Sequence, residues 1–187
     1  MPRLFIAVDV SDETKEQLFR FRVDIPAARW VPREQLHLTM AFLGDVEREQ
    51  INTLVGTLSE IRNPAFDLSI GEPGCFPNRK RPRTLWIGIK PEPHLMVLAE
   101  QLRKAILSCG IVQEARPFFP HITLARIKQP SGNDGDAFLN QGGRREAALL
   151  AVREFILFES RLGSRGVQHI PLRKFQLTAQ GKNDLCQ

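Results

Sequence analysis

Apolar and polar positions change period several times along the chain, and each change marks an element. Residues 3–10 are apolar and partly β-branched, which predicts a buried strand. Ser11, Asp12 and Glu13 then read as a helix start, a capping oxygen followed by acids near the positive end of the dipole. That helix is expected to run to about residue 23, with Leu18 and Phe21 on one face. A short extended piece at 28–31 is ended by Pro32, and residues 36–43 read as a strand bounded by Gly44. Asp45 is expected to cap a second helix, in which Ile51, Leu54, Val55, Leu58 and Ile61 keep helical spacing until Asn63-Pro64 stops it. Residues 66–70 alternate as a half-buried strand does, 71–83 read as a Gly/Pro/Arg-rich loop, and 84–89 as another strand. Pro91 and Pro93 open a third helix with a stripe of Leu95, Leu98, Leu102, Ile106 and Cys109, and Gly110 suits its C-cap. A strand is expected at 118–127 and a polar, Gly-rich mobile loop at 129–145. Strands at 152–158 and 167–177 close the chain, with Gly163 and Gly166 in the turn between them.

Strands and helices in this order, with few βαβ repeats, predict an α+β fold with antiparallel sheets rather than a doubly wound parallel sheet. At 187 residues the chain fits one domain or two tightly fused lobes. Such a length should bury roughly 70% of its unfolded surface, so no staple is needed. The 42% hydrophobic and 25% charged fractions exclude disordered and fibrous classes and little else. Lys and Arg number 26 against 21 Asp and Glu, a net charge of +5. That excess would draw a polyanion and make its binding salt-dependent, though it also serves solubility alone. Cys75, Cys109 and Cys186 are odd in number and lack CxxC spacing, which suggests a reducing, cytoplasmic setting. Cys109 is expected as a small buried hydrophobe and Cys186 as exposed. The apolar run at 4–8 is too short for a signal segment, and no membrane span is expected.

One short pattern occurs twice. Leu36-His37-Leu38-Thr39-Met40 lies in the first half and Pro120-His121-Ile122-Thr123-Leu124 in the second. On a strand, side chains two apart share a face. His37 and Thr39 therefore point one way while Leu38 and Met40 enter the core, and the second copy behaves alike. Core packing explains the apolar positions but not two polar residues repeated on the opposite face. If the two strands line one cleft, two imidazoles can give and take protons while two hydroxyls hold phosphoryl oxygens. A phosphodiester or cyclic phosphodiester is the natural substrate. Two histidines without a nearby carboxylate make a poor zinc site, so neither metal nor cofactor is expected.

At these residues the chain resembles the two-histidine (2H) phosphoesterase superfamily, and within it the RNA 2′,3′-cyclic phosphodiesterases, once called 2′-5′ RNA ligases. The resembling stretches are RLFIAVDV, RWVPREQLHLTMAFLGDV, CFPNRKRPRTLWIGI, PFFPHITLARI and ESRLGSRGVQHIPLRKFQL, in order over nearly the whole chain. The resemblance implies a single bilobal domain over residues 1–187. Its pseudo-two-fold lobes would line a central cleft with antiparallel sheets, helices outside and one His-x-Thr-x motif per lobe. It implies that His37 is the proton donor to the departing 3′ oxygen and His121 the acceptor that activates water. Thr39 and Thr123 would bind phosphate, the product would be a 2′-phosphate, and the reverse reaction would be a weak 2′-5′ ligation. Partners would be RNA ends or nucleotides bearing a 2′,3′-cyclic phosphate, with a monomer and no obligate protein partner expected. Sequence symmetry alone leaves the two histidine roles interchangeable. A non-catalytic RNA-binding module, or an enzyme for another cyclic phosphate or a 2′-5′ linkage, stays open as an alternative.

Near the C-terminus the chain departs from the family, with His169 where a tyrosine is usual and no tyrosine anywhere. His169 is expected as a strand residue at the surface or packed on a lobe. Arg126 could clamp phosphate, but three residues past Thr123 a regular strand points it away, so it needs a bulge or a strand end. Arg79, Lys80, Arg81 and Arg83 follow Phe76, and this loop is a candidate RNA contact through Phe76, Arg79 and Arg81. Trp30 and Trp86 are expected in the core and His94 at the surface.

Overall fold

A computed structural model describes residues 1–113, 117–140, 149–164 and 166–179. Cys186 and residues 141–145 of the expected 129–145 loop lie outside the described residues. The elements are β1 (Arg3–Asp9), α1 (Asp12–Phe19), β2 (Ala28–Trp30), β3 (His37–Asp45), α2 (Arg48–Ser59), β4 (Phe66–Phe76), β5 (Thr84–Ile89), α3 (Pro93–Ser108), β6 (His121–Ile127), α4 (Asp134–Leu139), β7 (Leu149–Val152), β8 (Glu154–Gly163) and β9 (Gly166–Gln176).

The strands join in the order β7-β4-β5-β6-β3-β1-β8-β9, with β2 paired to β6. Neighbours are antiparallel throughout. The order has a centre. β6 carries the outward run β5-β4-β7, and β3 carries β1-β8-β9. The two halves meet where β3 pairs β6 at Leu38–Ile122. The fold is α+β, a curled antiparallel sheet with few helices, as the sequence pattern predicts.

One face of the sheet is apolar and covered. Leu38, Met40, Ile122 and Leu124 share a buried cluster with Leu54 and Leu58 of α2 and with Leu95, Leu98, Leu102 and Ile106 of α3. α3 packs on β3, and α2 on α3. Local chemistry sets the helix ends. The Ser11 hydroxyl accepts from the Thr14 N–H at 3.2 Å, and the Glu92 carboxylate from the Leu95 N–H at 2.7 Å. Gly110 follows α3 at φ 73°, where a β-carbon would be strained.

Several expected boundaries move. α1 stops at Phe19, and α2 begins after Glu47, because Asp45 is still the last residue of β3. β4 runs on through Gly71, Pro73 and Gly74 to Phe76, since cross-strand bonds to β5 outweigh poor strand propensity there. The polar 129–145 segment is not simply a mobile loop. It contains α4, whose Phe138 is fully buried. β7, unread in the sequence, pairs with the first part of β4.

Candidate active site

The two motif strands lie side by side at the centre of the sheet. Leu38 and Ile122 are Cα partners, and both are fully buried. Extending that register by one residue each way sets His37 across from Thr123 and Thr39 across from His121. All four are half-buried and stand on the face opposite the apolar cluster. The pattern read in sequence is therefore assembled as expected, with each histidine facing the other motif's threonine.

Both imidazoles are held alike. His37 Nδ1 lies 2.7 Å from the Gln35 carbonyl oxygen, and His121 Nδ1 lies 2.7 Å from that of Phe119. A carbonyl accepts only, so each Nδ1 carries the hydrogen, and each Nε2 is free to receive or deliver a proton. Burial lowers the affinity of both rings for a proton. His37 is pushed down to about 4, chiefly by burial; the Gln35 carbonyl and Asp9 oppose the shift, while His169 and Arg126 add to it. His121 is lowered by burial and further by Arg126, with the Phe119 carbonyl opposing.

Arg126 acts on both rings because of a β-bulge. Trp86 pairs with Thr123, but Leu85 pairs with Ala125, so Leu124 is an extra residue on β6. Leu124 and Ala125 both point into the core, and Arg126 emerges on the histidine face. β3 has the matching bulge: Ala7 pairs with Thr39 and Ile6 with Ala41, leaving Met40 extra. Met40 and Leu124 occupy the same motif position. The site face of β3 thus gains Phe42, 67% exposed, where β6 gains Arg126.

Two expectations need correction. Trp86 is not a core residue. Its ring lies 5.8 Å from the His121 ring and completes an aromatic wall with Phe76 and Phe119, 5.3 and 6.0 Å from His121. It lies flat over β4 because Gly74 offers no side chain; a β-carbon there would come within 2.1 Å of the indole. Alternation could have flagged it, since Trp86 stands opposite Thr123 on the neighbouring strand. His169 is not a bystander either. Its ring stands edge-on to His37 at 5.1 Å and to Phe5 at 4.8 Å. It lines a cavity of about 410 Å³ with Asp9, Glu34, Gln35, His37, Phe158 and Gln168. The β8–β9 hairpin carries it there, because β8 pairs with β1 beside β3.

Phe76 lies beside His121, its ring 5.3 Å away. Arg79 does not extend toward it. Its guanidinium bonds to Asp136 and, at 2.9 Å, to the Asn140 side-chain carbonyl oxygen, tying the loop to α4. Arg81 is exposed, and its backbone N–H donates to Asn78 Oδ1. Trp30 packs against the core and His94 is at the surface. Cys109 follows α3 half-buried, its Sγ 3.5 Å from the Thr57 hydroxyl. Among the described residues no helix is long and apolar enough to cross a membrane.

The LigT like phosphoesterase family matches the chain twice, over residues 8–86 and 87–168, with one histidine motif in each match. The chain belongs to this family. Among LigT like phosphoesterases, it is 34% identical to an RNA 2′,3′-cyclic phosphodiesterase of Escherichia coli strain K12 over 180 residues, covering 94% of this chain and 97% of that one. An Archaeoglobus fulgidus protein of the same name is 31% identical over 177 residues, covering 93% and 99%. The crystal structure of E. coli LigT complexed with 3′-AMP superposes with a TM-score of 0.77 at 32% identity, covering 95% of this chain and 98% of that one. A crystal structure from Thermus thermophilus reaches 0.79 at 27% identity, covering 96% and 100%. The two family matches divide the chain between the two motifs, whereas the two halves of the sheet interleave in sequence: β4, in the first match, lies in the β6 half, and β8, in the second, in the β3 half.

Proposed function

We propose that this LigT like phosphoesterase hydrolyses 2′,3′-cyclic phosphate ends of RNA to 2′-phosphates, without a metal ion, as one bilobal domain. The carrying observation is the central pairing of two His-x-Thr strands, each with its histidine Nδ1 tied to a carbonyl and with Arg126 acting on both rings. Relatives named as RNA 2′,3′-cyclic phosphodiesterases support the substrate.

In this reading His121 accepts a proton from water as the water oxygen bonds to phosphorus. The P–O3′ bond breaks, and His37 delivers its proton to O3′. Thr39, Thr123 and Arg126 hold the non-bridging oxygens as charge builds on them. A 5′-hydroxyl in place of water gives a 2′-5′ linkage by the same exchange of bonds, hence weak reversible ligation. The low proton affinity of His37 in the free protein fits this role once substrate is bound, because the phosphate charge beside it raises that affinity. Binding therefore takes up a proton. The half-exposed aromatic wall beside His121 offers ring faces for a nucleobase.

The test is incubation with an oligonucleotide ending in a 2′,3′-cyclic phosphate, with and without EDTA. A 2′-phosphate with the rate unchanged by EDTA is expected. A 3′-phosphate would reverse the assignment of the leaving oxygen, and strong inhibition by EDTA would overturn the metal-free chemistry.

A further inference from the structure

The cationic side chain outside the histidine pair is not single. β2 pairs antiparallel with β6, and in that ladder Arg29 is the Cα partner of Arg126. Directly opposite residues on neighbouring strands point to the same face, with β-carbons about 5 Å apart. Both arginines are exposed. Like charges so placed repel, and no ion pair among the described residues relieves them. Among the described residues Arg33, Arg79, Arg103, Arg153 and Arg161 each engage a carboxylate, whereas neither Arg29 nor Arg126 forms an ion pair. Thr84, the partner of Arg126 on β5, is neutral. A row of Arg29, Arg126 and Thr84 thus crosses β6 beside the reaction site, with two unpaired guanidinium groups among the described residues.

Resting on the activity proposed above, the geometry points to Arg29 as a second phosphate site, which takes the 5′-phosphate of the nucleotide whose cyclic phosphate reacts. Within the terminal nucleotide, the chemistry of the substrate leaves one other anion for it. A terminal nucleotide with a 2′,3′-cyclic phosphate has one further phosphate, on its 5′ oxygen, and that group joins it to the rest of the RNA. Arg126 holds the reacting phosphate while Arg29, on the neighbouring strand, takes the next. Guanidinium suits both tasks, being always charged and able to bond two phosphate oxygens at once. The enzyme would thereby distinguish the end of an RNA from a free nucleoside cyclic phosphate by charge, without reading any base.

The test compares kcat/KM for a nucleoside 2′,3′-cyclic phosphate with and without a 5′-phosphate. The wild-type protein should prefer the 5′-phosphorylated substrate roughly tenfold. Arg29→Gln should bring that ratio below about twofold, and Arg29→Lys should restore part of it. The salt dependence of kcat/KM for an oligonucleotide ending in a 2′,3′-cyclic phosphate should become shallower by about 0.7 in log–log slope in Arg29→Gln, the loss of one phosphate contact. A wild-type ratio near one, or a ratio that Arg29→Gln leaves unchanged, overturns the second site. Absence of turnover on both substrates would instead count against the activity itself, so the two failures are separable.

Discussion

The two histidines sit on matched strands, with matched bulges and matched carbonyl tethers, yet in unlike company. Around His37 one ring, Phe5 at 5.1 Å, is joined by neighbours that titrate or carry charge: His169 stands edge-on to it, Asp9 is its partner on β1, and Asp9 in turn pairs with Lys15 at 3.0 Å. Around His121 the neighbours are rings, Phe76, Trp86 and Phe119, and the charge that reaches it is that of Arg126. Under the proposed mechanism a duplicated backbone supports two different tasks. A ring among charges can have its proton affinity adjusted, which suits the group that must hold a proton until the leaving oxygen needs it. A ring against an aromatic wall is held in one orientation, which suits a base that must meet water at a fixed angle.

That contrast can be broken most directly at the histidines. His37→Ala and His121→Ala should each lower turnover of a cyclic phosphate by roughly 10²- to 10⁴-fold, measured by product release under saturating substrate. A nitrophenyl phosphodiester, whose leaving group needs no proton, should recover much of the loss in His37→Ala and little in His121→Ala. Equal recovery in both would erase the division of roles.

Stability in acid should show the same asymmetry. A histidine in the unfolded chain binds its proton near 6.5, and His37 in the native protein only near 4. Between those values the unfolded state holds the extra proton. Stability from this site is intact above pH 6.5 and falls as pH drops toward 4, by about 2–3 kcal/mol. Urea titrations at pH 7 and 4.5 should find that loss reduced in His37→Gln. His121 is lowered by burial too, so His121→Gln should also reduce it, and equal relief from both would remove the asymmetry. The smallest effect is expected at His169. His169→Phe keeps a ring against Phe5 but removes the neighbouring charge that lowers His37, so His37 should titrate at higher pH when followed by NMR. A shift to lower pH would mean that His169 acts on His37 in some other way.

Much of this is legible because strand alternation is a local rule. His37, Thr39, His121 and Thr123 reach one face through the period of two alone, and Leu38 and Ile122 reach the core by the same rule. The stripes of α2 and α3 are equally plain, since 3.6-residue periodicity persists over several turns. The failures share a cause in contacts made between distant segments. β4 continues through Gly71 and Gly74 because β5 pairs with it, and α4 folds within a polar segment because Phe138 has a core to enter. Arg79 looks free in the sequence and is claimed by Asp136, 57 residues away.

The amino-acid sequence by itself determined which residues could do the chemistry and which side of each strand would carry them, because side-chain direction depends only on neighbours one and two positions away. The tertiary structure alone decided that Arg126 turns toward the histidines, that Trp86 walls in His121, and that His169 meets His37. Each of these depends on a bulge or a strand partner supplied by a distant part of the chain, and backbone pairing of that kind leaves no mark on local periodicity.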